Sequence, residues 1–208
     1  MGGRPAVIVL AAGRGSRFLG PEHKLAQSLG ALTVLGSTLQ HAIASHLPVV
    51  VVTTEALAPV ARRSVAARDV IVLPEVGASG HGGLGMGHSI SMGVNARPGA
   101  AGWLILPGDM PRVQPVTLQA VARQLEHHAV AYAQYRGRRG HPVGFSFELY
   151  SELSALSGDE GARRLVARYP AFGVEVDDSG VLIDVDTLAD LDLVREATTI
   201  AAAPAPRW

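Results

Sequence analysis

Short β-branched runs alternate with stretches of helical spacing along most of this chain. Val7–Leu10, Val49–Thr53, Val70–Leu73 and Trp103–Leu106 are almost wholly apolar, the pattern of strands buried on both faces. Between them, Leu35, Leu39, Ile43 and Leu47 recur at four-residue spacing. Pro115–His127 carries Val116, Leu118, Val121, Ala122 and Leu125 at mixed three- and four-residue steps. Both segments predict helices with one apolar face. Doubly buried strands need a helical layer on each side, and parallel neighbours need crossovers. The expected fold is therefore α/β, three-layered, with a mainly parallel twisted sheet.

Beyond Ala129–Tyr135, a further predicted strand, the pattern is less regular. A basic turn, "RGRRGHPVGF" (Arg136–Phe145), is expected to precede short elements and a strand pair around Val174–Val176 and Val181–Val185. Thr187–Ala197 predicts a last helix, capped by Thr187, with Leu188, Leu191 and Val194 on one face. A single domain over residues 1–200 is expected, with Ala201–Trp208 a frayed end. With 48% apolar and 17% charged residues, the chain has the means to bury a core. Eighteen basic residues balance eighteen acidic ones, so no global field points to nucleic acid or an anionic membrane. A local basic site stays open.

The chain has no cysteine, which removes disulfides and thiolate metal sites and makes a reducing cytoplasm the expected compartment. No apolar run approaches the ~18 residues of a membrane span. Arg4 followed by Ala6–Ala12 mimics a short signal peptide, but the run suits a buried strand leading into a cationic loop. Alanine as the sixth residue also fails the myristoylation pattern.

That loop, "AAGRGSRFLGPEHK" (Ala11–Lys24), combines glycines with cations at the end of the first strand, where open α/β sheets bind ligands. Gly15 and Gly20 have the spacing of a Walker A loop, but Pro21 stands in the lysine position and Lys24 comes too late. Gly13 and Gly15 begin a dinucleotide fingerprint, but Phe18 replaces its third glycine and no acidic residue lies near position 33. A third device remains. Glycines let main-chain N–H groups turn toward a triphosphate, while Arg14, Arg17 and Lys24 neutralise it. A glycine-rich surface turn with solvated cations is the plainer alternative.

"LPGDMP" (Leu106–Pro111) sets Asp109 at a strand's carboxyl end, where it suits Mg²⁺ or serves as a turn former. "DVDTLADL" (Asp184–Leu191) offers a second acidic cluster or a helix cap. "GMGHSISMG" (Gly85–Gly93) enters a helix whose first N–H groups can receive a phosphate or a base.

"LAAGRGSRF…K" resembles the loop of nucleoside-triphosphate transferases of the molybdenum-cofactor type, the MobA-like family. Three further segments resemble its molybdopterin cytidylyltransferases: "GMGHS", with Met86 for the usual Leu, "RRGHPVGF" with its Gly-His-Pro turn, and "GDEGARRLV" (Gly158–Val166). The likeness spans Val7 to about Leu193. It departs at Gly108, often Ala in cytidylyl enzymes, and along Ala26–Gly36.

The resemblance implies a Rossmann-like nucleotidyltransferase fold of the GT-A type. Asp109 and Asp186 would be the Mg²⁺ pair, with Arg17, Lys24 and Asp109 carrying catalysis. Leu10, Ala11, Ala12, Gly13, Arg14, Gly15, Lys24, Gly87, His88 and Ser89 would line the nucleotide, and His141, Pro142, Asp159 and Arg163 the acceptor. Ala12, where guanylyl relatives usually have glycine, favours CTP. The implied reaction moves CMP from CTP to the terminal phosphate of molybdopterin or the molybdenum cofactor, releasing pyrophosphate. A molybdoenzyme insertion factor would be the family-based recipient of product.

A phosphate monoester is already mostly dianionic near neutrality, its second pKa being about 6, so no dedicated base is required. Positioning and charge neutralisation carry the step. Alternatives stay open at this point: GTP as donor, a sugar or polyol phosphate as acceptor, or a non-catalytic cofactor carrier. A serine hydrolase is disfavoured, because "HGG" (His81–Gly83) and "GHSIS" (Gly87–Ser91) lack the glycine and preceding strand of a nucleophile elbow. The scattered histidines show no zinc spacing.

Overall fold

The computed structural model describes residues 3–13, 15, 18–20, 22–74, 85–159 and 161–202. Its strands are β1 (Ala6–Ala11), the short pair β2 (Ser28–Leu29) and β3 (Leu32–Thr33), β4 (Val49–Thr54), β5 (Val70–Leu73), β6 (Gly102–Pro107), β7 (Val130–Tyr135), β8 (Arg138–Ser146) and β9 (Ala171–Glu175). The α-helices are α1 (Val34–Ala44), α2 (Ala58–Arg62), α3 (Gly85–Asn95), α4 (Pro115–Gln124), α5 (Tyr150–Ser154), α6 (Arg163–Arg168) and α7 (Leu188–Ala202).

Among the described residues, seven strands form one sheet in the order β5-β4-β1-β6-β8-β7-β9. β1 pairs in parallel with β4 and β6, and β4 with β5. β8 runs antiparallel to both its neighbours, and β7–β9 is parallel again. The sheet is mainly parallel, as expected.

Strand alternation divides the core into two layers. Val7, Val9 and Ala11 face one cluster with Leu35 and Leu39 of α1, Leu118 and Val121 of α4, and Leu191 and Val194 of α7. Ala6 and Ile8 face the other, with Ile90 and Val94 of α3, Leu153 of α5 and Leu165 of α6. Burying both faces explains why the central strands read as unbroken apolar runs. Thr33 caps α1 by accepting from the Gly36 N–H at 3.0 Å, worth about 1 kcal/mol.

Three sequence expectations need correction. Arg136–Phe145 is not one turn: Arg136 and Gly137 turn the chain, and the rest is strand β8. Its register with β7 shifts between Tyr132↔Val143 and Gln134↔Arg139, so Gly140, His141 and Pro142 stand opposite Ala133 alone. This bulge accommodates a proline without a ladder donor. Val181–Val185 is not a strand but a 3₁₀ turn (Ser179–Leu182) followed by extended chain, leaving β9 paired only with β7. Within the last helix, Leu191 and Val194 are buried, whereas Leu188 is 46% exposed and lies off their face.

Candidate functional site

Because β1 and β6 are parallel neighbours, the loops after both leave the same rim of the sheet. The pairing reaches one step further, where the Gly108 N–H donates to the Leu10 carbonyl at 2.8 Å. From behind, the Thr38 hydroxyl of α1 donates to the Gly108 carbonyl at 2.9 Å. Asp109 therefore projects from a braced turn.

The second acidic segment reaches this place through a chain of local contacts. Asp178, 7% exposed, accepts from the Gln114 N–H (2.8 Å), the Thr117 hydroxyl (2.7 Å) and the Gly180 N–H (2.9 Å). It thus pins the 3₁₀ turn to the start of α4. Two glycines allow the approach: a Cβ on Gly180 would overlap the Arg112 carbonyl, and one on Gly140 the Val181 carbonyl. The Val185 N–H then donates to the Asp109 carbonyl at 2.9 Å, clasping the two acidic segments backbone to backbone. Immediately after Asp186, Thr187 and Asp190 exchange hydrogen bonds (2.8 and 3.2 Å) that begin α7.

Lys24 closes the arrangement. Its Nζ lies 2.6 Å from Asp109 Oδ2 and 2.7 Å from Asp186 Oδ1, with the three side chains only 11–16% exposed. Burial alone would depress the Lys24 pKa. The charge and hydrogen bond of Asp109, then those of Asp186, outweigh it and raise the pKa. Asp184 joins from the exposed side, each of the three acids placing a carboxylate oxygen within 4.8 Å of the others. The Asp184 pKa is raised, first by burial and then by the charges of Asp186 and Asp109.

Three carboxylates thus share one ammonium, and Asp109 Oδ1 is buried without a hydrogen-bond partner. All-oxygen donors of excess negative charge fit a hard divalent cation. The residues present suit such an ion.

A cavity of about 1210 Å³ opens beside this cluster. Leu10, Ala12, Gly13, Gly15 and Lys24 border it from the first loop, and Ser89 from α3. Asp109, His141 and Asp186 border it from the metal side, and Asp159 and Arg163 from the far wall. The fold therefore brings most of the expected site residues to one space.

Four others stand off its wall. Ala11 is 1% exposed and packs in the core. Gly87 is buried against Ser157, and its N–H donates to the Gly158 carbonyl at 2.8 Å rather than toward the cavity. His88 is half-buried on α3, and Pro142 is buried in the bulge. Arg14, Arg17 and His81–Gly83 lie outside the described residues.

Two residues near the site were not singled out from the sequence. Asp184 could have been found from its two-residue spacing to Asp186. His23 carries no such signal: its Nδ1 accepts from the Leu25 N–H at 3.2 Å, so Nε2 bears the proton and donates to the Gly13 carbonyl at 2.9 Å. That side chain ties the glycine loop to Lys24's own turn. His141 is held neutral, its pKa lowered chiefly by burial although the Asp109 charge opposes this, and its Nδ1 is buried without a partner.

Comparison with known proteins agrees with this geometry. The MobA-like NTP transferase domain matches residues 7–172, a span that stops short of Asp184 and Asp186. Purine catabolism protein PucB of Bacillus subtilis (strain 168) is 38% identical over 118 residues, 54% of this chain and 57% of PucB. The matched region thus spans little more than half of that relative. Rv0371c from Mycobacterium tuberculosis H37Rv superposes with a TM-score of 0.78 at 29% identity, covering 94% of this chain and 99% of that one. Its manganese complex gives a TM-score of 0.75 at 30% identity, covering 94% and 100%.

Molybdopterin-guanine dinucleotide biosynthesis protein A of Archaeoglobus fulgidus shares the fold, with a TM-score of 0.69 at 18% identity and coverage of 94% and 99%. Among the described residues no helix is long and apolar enough to cross a membrane. With a family match over most of its length and acidic residues gathered at the strand ends, the chain belongs to the MobA-like NTP transferase domain family, a family of nucleotidyltransferases.

Proposed function

We propose that this protein transfers CMP from CTP to the terminal phosphate of molybdopterin or its molybdenum form, with release of pyrophosphate. The observation that carries the reading is the convergence of Lys24, Asp109 and Asp186 beside the Gly13–Gly15 loop in one large cavity. Ala12 and the Gly-His-Pro and Gly-Asp-x-Gly-Ala-Arg segments support the choice of CTP and molybdopterin by resemblance. The Archaeoglobus neighbour carries fold alone and does not choose between CTP and GTP.

Asp109 and Asp186, with Asp184 alongside, would hold Mg²⁺, which supplies neutralisation of the negative charge that gathers between the reactants. The protein's own residues do the positioning. The loop from Gly13 to Gly15, fixed by His23, presents main-chain N–H groups to the triphosphate. Lys24, once drawn from its carboxylates toward phosphate oxygens, steadies the leaving pyrophosphate. Arg14 and Arg17, which follow Gly13 in the sequence, would add positive charge to this step. His141, whose pKa burial lowers, borders the same cavity as a neutral ring on the acceptor's side. The acceptor phosphate needs no base, so the rate depends on alignment and electrostatics.

Pyrophosphate release from each of the four nucleotides, with molybdopterin and its molybdenum form, in Mg²⁺ or EDTA, tests the assignment. CTP with Mg²⁺ is expected to support turnover and GTP to lose most of it. Equal use of both would overturn the cytidylyl assignment and leave the family intact.

A further inference from the structure

One guanidinium in the cavity has no part in the chemistry above. Arg139, at the exposed end of β8, lies with Cζ 4.5 Å from the centroid of the Tyr132 ring on β7. Among the described residues it has no carboxylate partner, in contrast to Lys24. A guanidinium stacked on an aromatic face keeps its N–H edges free and its orientation fixed, the form that grips a phosphate through paired hydrogen bonds.

Its place along the strand gives the site a direction. β6 and β8 are antiparallel, with Ile105 opposite Val143. Moving from Val143 back to Arg139 therefore moves along β6 toward Asp109. On the far side of Val143 the strand continues to Phe145, and both border the cavity together with Ile105, Ile90 and Val166. Arg139 thus stands on the cavity wall toward the acidic cluster, with buried apolar residues behind the strand beyond it.

Resting on the nucleotidyltransferase reading, we propose that Arg139, seated over the Tyr132 ring, receives the phosphate of the acceptor.

Calorimetric titration with phenyl phosphate, glycerol 3-phosphate and MgCTP tests this on the whole protein and on R139A, R139K and Y132L. The wild type is expected to bind both phosphate monoesters. R139A should weaken phenyl phosphate by about tenfold, as for loss of a charged hydrogen-bond pair. R139K should recover only part of that, and Y132L should show a smaller loss. MgCTP binding should stay within about twofold throughout. Arg139 is exposed, and unchanged circular dichroism of R139A would confirm that the variant is folded. Absence of phenyl phosphate binding by the wild type, unchanged binding by R139A, or an equal loss of MgCTP would overturn the role of Arg139. Should the nucleotide panel favour GTP, MgGTP becomes the control and the Arg139 result keeps its meaning.

Discussion

Two cations of the cavity are held in opposite ways. Lys24 is nearly buried and bound to Asp109 and Asp186, whereas Arg139 is exposed, rests on an aromatic ring and, among the described residues, meets no carboxylate. The first completes a cluster short of positive charge, and its loss should be felt by the fold as well as by the reaction. The second has nothing to stabilise until an anion arrives. Burial and partner, rather than formal charge, separate a cation that builds a site from one that receives a ligand.

The largest effect that could break this contrast is expected at Asp109. D109A should lower pyrophosphate release by at least about a hundredfold, the scale for losing one preorganised electrostatic group. It should stay folded, because removing the acid relieves repulsion with Asp184 and Asp186. Unfolding, seen by circular dichroism, would show Asp109 to be a structural brace instead.

Next comes K24M. Without metal it leaves the acids facing one another unneutralised, at a cost of about 3 kcal/mol and a melting temperature lower by roughly 6–12 °C. Added Mn²⁺ should restore most of the loss. R139A should melt like the wild type. Equal melting of K24M and R139A would erase the distinction between the two cations.

A more local probe is G180A. Its new Cβ would overlap the Arg112 carbonyl, costing about 1–3 kcal/mol as overpacking does. The resulting shift should carry Asp184–Asp186 away from Asp109. Titration should then show Mn²⁺ bound about tenfold more weakly, with the preference among nucleotides unchanged. The smallest effect is expected from Y132L, where losing a cation–π contact of about 0.5–1 kcal/mol should raise the acceptor KM by roughly threefold and leave kcat alone.

Legibility in the sequence followed local physics. The central strands and α1 were readable because burial on both faces leaves an unmixed apolar run, and one-sided burial leaves a four-residue repeat. Glycine and proline in "RGRRGHPVGF" read as a turn, since nothing local distinguishes a bulge inside a strand from a reversal. Val181–Val185 read as a strand because alternation alone does not reveal whether a partner edge exists. Among the described residues it has none, and the segment is held by Asp178 and two close glycine contacts instead.

Within the site, Lys24 and Asp109 were visible as a cation in a glycine loop and an acid at a strand end. Their 2.6 Å contact was not, because it joins positions 85 residues apart. Arg139 stood in a basic run whose members look alike on paper. Arg136 also lies over a ring, that of Tyr135, and what distinguishes Arg139 is its place on the cavity wall, with Tyr132 beneath it.

The hydrogen bond from the Val185 N–H to the Asp109 carbonyl has a consequence for variation at this site. Since main-chain atoms alone form it, any residue except proline carries the donor, but Val185 is fully buried, so only apolar side chains of similar size keep it in place. Proline there would remove the tie, but it would also replace a fully buried core side chain and restrict the backbone of Asp184, so the tie and the core packing at 185 are lost together.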